Sequence, residues 1–261
     1  TRSLCDWSSD VCSSDLQETF RRYAYGLDGL IDEPFLNAAR ARLSTKSSPF
    51  ITNWKQGLEA ARRVNADAMN RPTSNRRELF QPFIYLSSHD KNPRLSSELD
   101  ASPCQSVNPS AEQAYRVGMY ILTSLSRYPI LYYGDEIMQR GFKWNGNNRN
   151  ADNDPGDGSG IYDETLREPF PWTKLGSSPA SPNAQFQTSW FPPRFQCAND
   201  GISVEEQDAP KRMLNLVRGL TNLRTRHPDY ANGEVGSILA DTDRKSTRLN
   251  SSHTVISYAV F

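Results

Sequence analysis

Long apolar runs are absent from this sequence. No stretch approaches the roughly 20 apolar residues needed to cross a bilayer, and none reads as the apolar core of a secretory leader, so no membrane partner is expected. Excess charge of either sign is missing too: 30 basic side chains stand against 30 acidic ones. Domains that hold nucleic acid concentrate basic charge, so nucleic acid is not the expected partner. Cysteine is scarce, with 4 in 261 residues.

A regular apolar period is missing from both ends. Residues Cys5 to Leu16, "CDWSSDVCSSDL", and Asp243 to Phe261, "DRKSTRLNSSHTVISYAVF", carry no helical or strand pattern that continues inward. Both look like translated sequencing-library adapter. The codons GAC TGG AGT TCA GAC GTG TGC TCT TCC GAT encode Asp6 to Asp15, and their reverse complement in another frame encodes "RKSTRLNSS", Arg244 to Ser252. Opposite strands of one short DNA therefore account for both segments. Residues 1–16 and 243–261 are expected to be adapter-derived, leaving 17–242 as the native part. Of the cysteines, only Cys104 and Cys197 then remain; one disulfide could join them, and two isolated cysteines decide nothing about redox compartment. The same expectation means that a missing leader does not place the protein in the cytoplasm.

The interior has enough material for a core. With 36% hydrophobic and 10% aromatic residues, it can form one large domain or two small ones. "NWKQGLEAARRVNADAMN" offers Asn53 as an N-cap and a stripe of Trp54, Leu58, Ala61 and Ala68, which predicts a helix. "RELFQPFIYLSS" predicts a buried strand. In "SAEQAYRVGMYILTSL", Ser110 and Gln113 make a capping-box pair, and Ala114, Val117, Ile121 and Leu125 share one face. "YPILYYGDE" predicts a second buried strand. Met213, Leu216, Val217, Leu220 and Leu223 then repeat at helical spacing until His227-Pro228 stops them. Continuous apolar strands alternating with helices are the pattern of a parallel sheet. Between the second strand and the last helix lies a long segment, Met138 to Gln207, rich in Asn, Asp, Gly and Pro. Segments that long usually carry function, and at the carboxyl end of a parallel strand they stand over the active face.

One strand raises a chemical question. "FIYLSSHD", Phe83 to Asp90, is an apolar run ending in a histidine and a carboxylate, side chains that are costly to bury unpaired. It resembles the seventh-strand motif of the α-amylase family of glycoside hydrolases, usually an apolar strand followed by Asn-His-Asp. "YPILYYGDEI" is similar to the eighth-strand segment of that family. "LREPFPW", Leu166 to Trp172, looks like its Arg-x-Pro-x-x-Trp segment, "LTNLRTRHPDY" like the end of its last barrel helix, and "YGLDGLIDEPF", Tyr25 to Phe35, like its sixth-strand region.

The resemblance implies an α/β fold, a partial (β/α)8 TIM barrel holding about strands six to eight with their helices. It implies an enzyme of carbohydrate metabolism that cleaves α-glucosidic bonds of an α-glucan or maltooligosaccharide partner by a retaining mechanism. Such cleavage needs a carboxylate nucleophile and a carboxylic acid about 5 Å apart. In the family these lie on the fourth and fifth strands, upstream of what the chain holds, so the chain itself is expected to be inactive. A third carboxylate, on the seventh strand, steadies the distorted cationic sugar ring: Asp90 matches it. His89 matches the neighbouring histidine that hydrogen-bonds the same sugar, and Arg94 the arginine that follows, one residue later than usual. Ser88 stands where the family usually has Asn. Asp135 and Glu136 read as holding the eighth-strand loop rather than touching substrate.

Two alternatives stay open. The parent enzyme could be an α-glucosidase or glucan-transferring member of the family, or the chain could come from a non-catalytic barrel homologue that serves as a transporter subunit. An extracellular or periplasmic setting is favoured for the parent, although the sequence does not fix its location. No cofactor is expected in this chain; calcium is allowed for in the parent. "NRNADNDPGDGSG", Asn148 to Gly160, gathers Asp152, Asp154 and Asp157, but it lacks a glutamate at the twelfth position and reads as a solvated loop. Trp144, Trp172, Trp190 and Phe191 are candidates for sugar stacking, with loop anchoring as the commoner use. His227 reads as a helix-end residue favoured by the dipole.

Overall fold

The computed structural model describes residues 29–44, 81–101, 105–125, 128–143, 164–190 and 193–229. Both terminal segments, the helix expected after Asn53, Cys104, Trp144, Phe191 and the Asp-rich loop 148–160 lie outside the described residues. The chain divides into two compact units, the second made of residues 86–123 and 131–226.

The first unit holds a three-stranded sheet. Strands β1 (Gly29–Ile31), β2 (Gln81–Ile84) and β3 (Tyr128–Pro129) lie in the order β1-β2-β3. Both pairs are parallel, with Gly29 opposite Gln81 and Phe83 opposite Tyr128. Backbone bonds extend the ladder beyond the strand ends: Asp32 N donates to Phe83 O at 2.9 Å and Ile130 N to Ile84 O at 2.8 Å. Parallel neighbours need a long crossover, and the first one includes helix α1 (Glu33–Ser44). Asp32 starts that helix. Its Oδ1 accepts from Phe35 N at 2.9 Å, and its carbonyl accepts from Leu36 N at 3.1 Å, an N-cap in geometry and chemistry. Phe35, Leu36, Ala39 and Leu43 form the buried face.

The second strand expected from the sequence is shorter and barer than its apolar run implies. Only Tyr128 and Pro129 pair as strand, and Tyr128 is 46% and Ile130 38% exposed. The reason is position, since β3 is an edge of the sheet among the described residues.

The second unit is helical and coil. It contains α2 (Leu95–Leu99), most of α3 (Pro109–Leu125), α4 (Val204–Gln207) and α5 (Met213–Arg226), with short 3-10 turns at Asp135–Ile137, Glu164–Leu166 and Ala184–Phe186. Helix α3 does not start where the Ser110/Gln113 pair suggests. Asn108 Oδ1 accepts from Ser110 N and its carbonyl from Glu112 N, both at 2.9 Å, with Pro109 as the first helical residue. Proline suits that position because its missing N–H would have had no helical partner. The buried face is turned by one residue accordingly: Ala111, Tyr115, Met119 and Leu122 are buried with Ile121, while Ala114 and Val117 are half-buried.

Helix α5 spans the range its period predicts and ends at Arg226, before His227-Pro228. Met213, Leu214, Val217 and Leu220 are buried, whereas Leu223 is exposed. The long segment before α5 is part of the core. Ile202, Val204, Leu214 and Ile137 form a cluster on which Val107, Phe170 and Trp172 pack. Ser203 and Glu206 cap α4 reciprocally in a capping box. Cys197 is disulfide-bonded.

Leu214→Ala should empty part of this cluster. We expect a loss of about 2–5 kcal/mol, the range for large-to-small changes in a packed core, read as a lower urea midpoint at unchanged slope. A parental midpoint would mean that the long segment does not pack on α5.

Candidate active site

Polar residues emerge abruptly after β2. Leu86 and Ser87 are buried, and the chain then turns outward at Ser88, leaving the His89 and Asp90 side chains 62% exposed. The turn is tied from within: Ser88 Oγ donates to Asp90 Oδ1 at 2.6 Å and accepts from Lys91 N at 3.1 Å. His89 Nε2 lies 3.9 Å from Asp90 Oδ2. It is also tied from outside. Arg167 Nε donates to the His89 carbonyl at 3.2 Å, and Lys143 N donates to Asn92 Oδ1 at 2.8 Å. The Asp90 carboxyl is held below its ordinary range, first by the Ser88 hydroxyl and then by the neighbouring His89, its own backbone N–H and Lys143, against partial burial. Asp90 is therefore an ionised, solvent-facing carboxylate on a braced turn.

Arg94, expected beside the sugar, does something else. It is 0% exposed. Its Nε and Nη2 donate to Leu166 O at 3.0 and 2.8 Å, and Nη1 donates to Tyr133 O at 2.8 Å. The guanidinium carbon stands 4.4 Å from the Tyr132 ring centroid and 5.0 Å from that of Tyr133. The Arg94 N–H donates to Gly141 O at 3.0 Å, and its carbonyl receives Ser97 and Glu98 at the start of α2. Three segments thus meet on one side chain. The extra residue between Asp90 and the arginine goes with this outcome: the turn faces solvent while Arg94 faces inward. Two glycines make room for it. A Cβ on Gly134 would fall 2.2 Å from Gln139 Oε1 and 2.9 Å from Arg94 Nη1; on Gly141 it would fall 2.7 Å from Thr165 O and 3.2 Å from Arg94 Cδ. Gly134 also has φ +91°, a left-handed conformation that favours glycine.

Three acids feel the charge of this arginine. Asp135 accepts from Tyr115 Oη at 3.2 Å, and burial pushes its carboxyl up to about 6, with Arg94 pulling the other way. Glu136 accepts from Gly134 N at 2.8 Å and is raised by burial. Both acids thus hold the turn that follows β3. Glu168, which sequence reasoning missed, is 0% exposed and accepts from Arg194 N at 2.7 Å and Phe195 N at 3.2 Å. Burial pushes it up to about 7. It occupies a variable position of the Arg-x-Pro-x-x-Trp pattern, so no signal marked it. Trp172 anchors its segment, with ring centroids 4.9 Å from Phe170 and 5.3 Å from Phe186, whereas Trp190 is 60% exposed. No three metal-ligating side chains gather among the described residues, and the Asp-rich loop lies outside them.

Two outcomes should follow. Arg94→Met should cost about 2–5 kcal/mol, because it leaves the Leu166 and Tyr133 carbonyls without the donors the guanidinium supplies; a midpoint within experimental error of the parent would remove Arg94 from this role. Asp135 and Glu168 titrate near 6 and 7 when folded, against 3.8 and 4.5 for the free groups. The folded state thus binds their protons more tightly, so these groups make stability fall as pH rises from about 4 to about 7. The urea midpoint of Glu168→Gln should decline less than that of the parent over this window, and equal declines would refute the linkage.

Comparison with known proteins completes the picture. The alpha-amylase catalytic-domain family model matches residues 28–233. Alpha-amylase 3 of Dictyoglomus thermophilum is 28% identical over 160 residues, covering 61% of this chain and 25% of that protein. The trehalose synthase/amylase TreS of Mycobacterium tuberculosis is 32% identical over 117 residues, covering 43% of this chain and 17% of that protein. Among solved structures, Eubacterium rectale Amy13B superimposes with a TM-score of 0.50 at 14% identity, over 82% of this chain and 35% of that one. The chain thus spans about a quarter or less of the length of these curated relatives. A family match across nearly all of the interior, on a chain with parallel strands and the His-Asp turn after β2, makes this protein a member of the alpha-amylase family of glycoside hydrolases, family 13, whose catalytic domain is a (β/α)8 barrel.

Proposed function

We propose that residues 17–242 are the carboxyl-terminal part of an alpha-amylase-type catalytic barrel, about strands six to eight, of an enzyme that cleaves α-glucosidic links in starch-like glucans or maltooligosaccharides with retention. The observation that carries the reading is the braced, ionised Asp90 on an exposed turn after a parallel strand, inside a family match that runs from 28 to 233. Retaining cleavage passes through a sugar ring that carries positive charge. A carboxylate held in place before that charge develops stabilises the transition state more than the neutral ground state, and only such differential binding speeds the chemical step. Asp90 has this role in the proposal. His89 would donate to or accept from a sugar hydroxyl, a contact present in ground and transition states alike. Arg94 moves from sugar contact to positioning, since its donors are spent on backbone carbonyls.

The nucleophile and general acid would come from the fourth and fifth strands of a complete barrel. A glucan- or glucose-transferring activity is the second reading, favoured by relatives named trehalose synthase/amylase. Hydrolysis and transfer share the same covalent intermediate and differ in what accepts the sugar, water or another hydroxyl.

In the complete enzyme, Asp90→Asn keeps size and one acceptor but loses the charge. We expect kcat on a soluble maltooligosaccharide to fall by roughly a hundredfold or more, about 3 kcal/mol, with a much smaller change in KM. His89→Ala should be milder, with more of its loss in KM. Near-parental kcat in Asp90→Asn would sink the assignment. The 261-residue chain by itself should release no reducing sugar from starch; activity from the purified chain would mean that a carboxylate within it replaces the missing pair.

A further inference from the structure

Ser88 is the one departure in the His-Asp motif that the proposed function leaves unexplained, since the family usually has Asn there. Its hydroxyl has one proton to give. Lys91 N–H points at Ser88 Oγ from 3.1 Å and occupies a lone pair, while Asp90 Oδ1 lies 2.6 Å away on the donating side. An oxygen that accepts one hydrogen bond becomes a better donor of the next, so the two bonds strengthen each other in series. A bond from a neutral donor to an ionised acceptor is also among the stronger kinds, and 2.6 Å is the short distance expected of it.

Asp90 needs such a partner. Its side chain is 62% exposed, so packing does not fix its rotamer, and His89 Nε2 at 3.9 Å is too far for a hydrogen bond. We propose that Ser88 is the positioning residue of this site, relaying the Lys91 N–H to Asp90 so that the carboxylate is oriented before a sugar arrives. This rests on the reading of Asp90 given above. The titratable and charged groups that bear on Asp90 are His89 on the same turn and Lys143 from the segment after the 3-10 turn at Asp135–Ile137; Lys91 follows directly in sequence, and Arg167 donates to the His89 carbonyl. The Asp90 N–H also bears on its own carboxylate, with a smaller effect than the Ser88 hydroxyl. Ser88 is the link that carries the Lys91 N–H to this charge. Its effect on Asp90 has the sign expected of a donor to the ionised form, and it is the largest of the influences that lower the Asp90 carboxyl.

The test has two readouts. In the full chain carrying 13C-labelled aspartate carboxyls, the Asp90 signal is identified by its absence in Asp90→Asn, and its titration is followed by NMR. Ser88→Ala should raise the titration midpoint by about half a unit to one unit, and Ser88→Thr, which keeps the hydroxyl, should restore it. Equal urea midpoints for the three proteins verify that each is folded. A folded Ser88→Ala chain with the parental Asp90 midpoint overturns the proposal, as does a Ser88→Thr chain that titrates like Ser88→Ala. The second readout is kcat of Ser88→Ala in the complete enzyme, expected to fall several-fold with KM nearly constant. A shifted Asp90 midpoint with unchanged kcat leaves Ser88 as the positioning residue and removes the transition-state role from Asp90, so the two readings fail separately.

Discussion

The second unit depends on one guanidinium. Arg94 is fully buried, yet among the described residues it makes no ion pair with a carboxylate; its donors go to the carbonyls of Leu166 and Tyr133. A backbone carbonyl cannot be lost by mutation, so these bonds do not depend on which side chains stand at 166 and 133, while the room for the guanidinium depends on Gly134 and Gly141. The charge does electrostatic work without direct pairing, drawing down the carboxyls of Asp135, Glu136 and Glu168 against burial that raises them. The result is a stiff frame with an acidic lining. The exposed His89–Asp90 turn leaves it five residues after Ile84 and returns to it at Arg94.

That frame explains why a site can be exposed and still ordered. Side chains at 62% exposure lose little water, so burial contributes almost nothing to their orientation. Orientation comes from short polar ties instead: Ser88 to Asp90, Arg167 to the His89 carbonyl, Lys143 N to Asn92. Each tie is modest alone, since a typical intramolecular hydrogen bond contributes about 1 kcal/mol net. Together they restrict a turn whose backbone has nowhere else to go.

The sequence made some of this legible and hid the rest for physical reasons. Strand β2 and helix α5 were readable because an apolar run or a helical stripe records burial directly. The His-Asp turn was readable because two polar residues interrupt such a run. The role of Arg94 was not, since bonds to carbonyls leave no trace in the identity of Leu166 or Tyr133. Helix α3 was misread at its start because Ser110 and Gln113 fit a capping pattern that Asn108-Pro109 fits better. The burial of the "YPILYY" run was overestimated, because hydrophobicity reports what a residue prefers and an edge position decides what it receives. Glu168 was invisible for the same kind of reason, its partners being the N–H groups of Arg194 and Phe195.

Among the described residues, strand order in the sheet follows chain order, β1, β2, β3, and each strand pairs with the one made just before it or just after it. A sheet of this kind can be assembled in the direction of translation. When Gln81–Ile84 leaves the ribosome, the edge of Gly29–Ile31 is already waiting, and Tyr128–Pro129 in turn meets an edge that has just formed. Among the three described strands, none has to wait for a partner synthesised much later, and none has to be inserted between two that have already paired. The interval during which a nascent edge stands open to other chains is thus set by the length of one crossover, a matter of seconds at ordinary synthesis rates of roughly 5–20 residues per second.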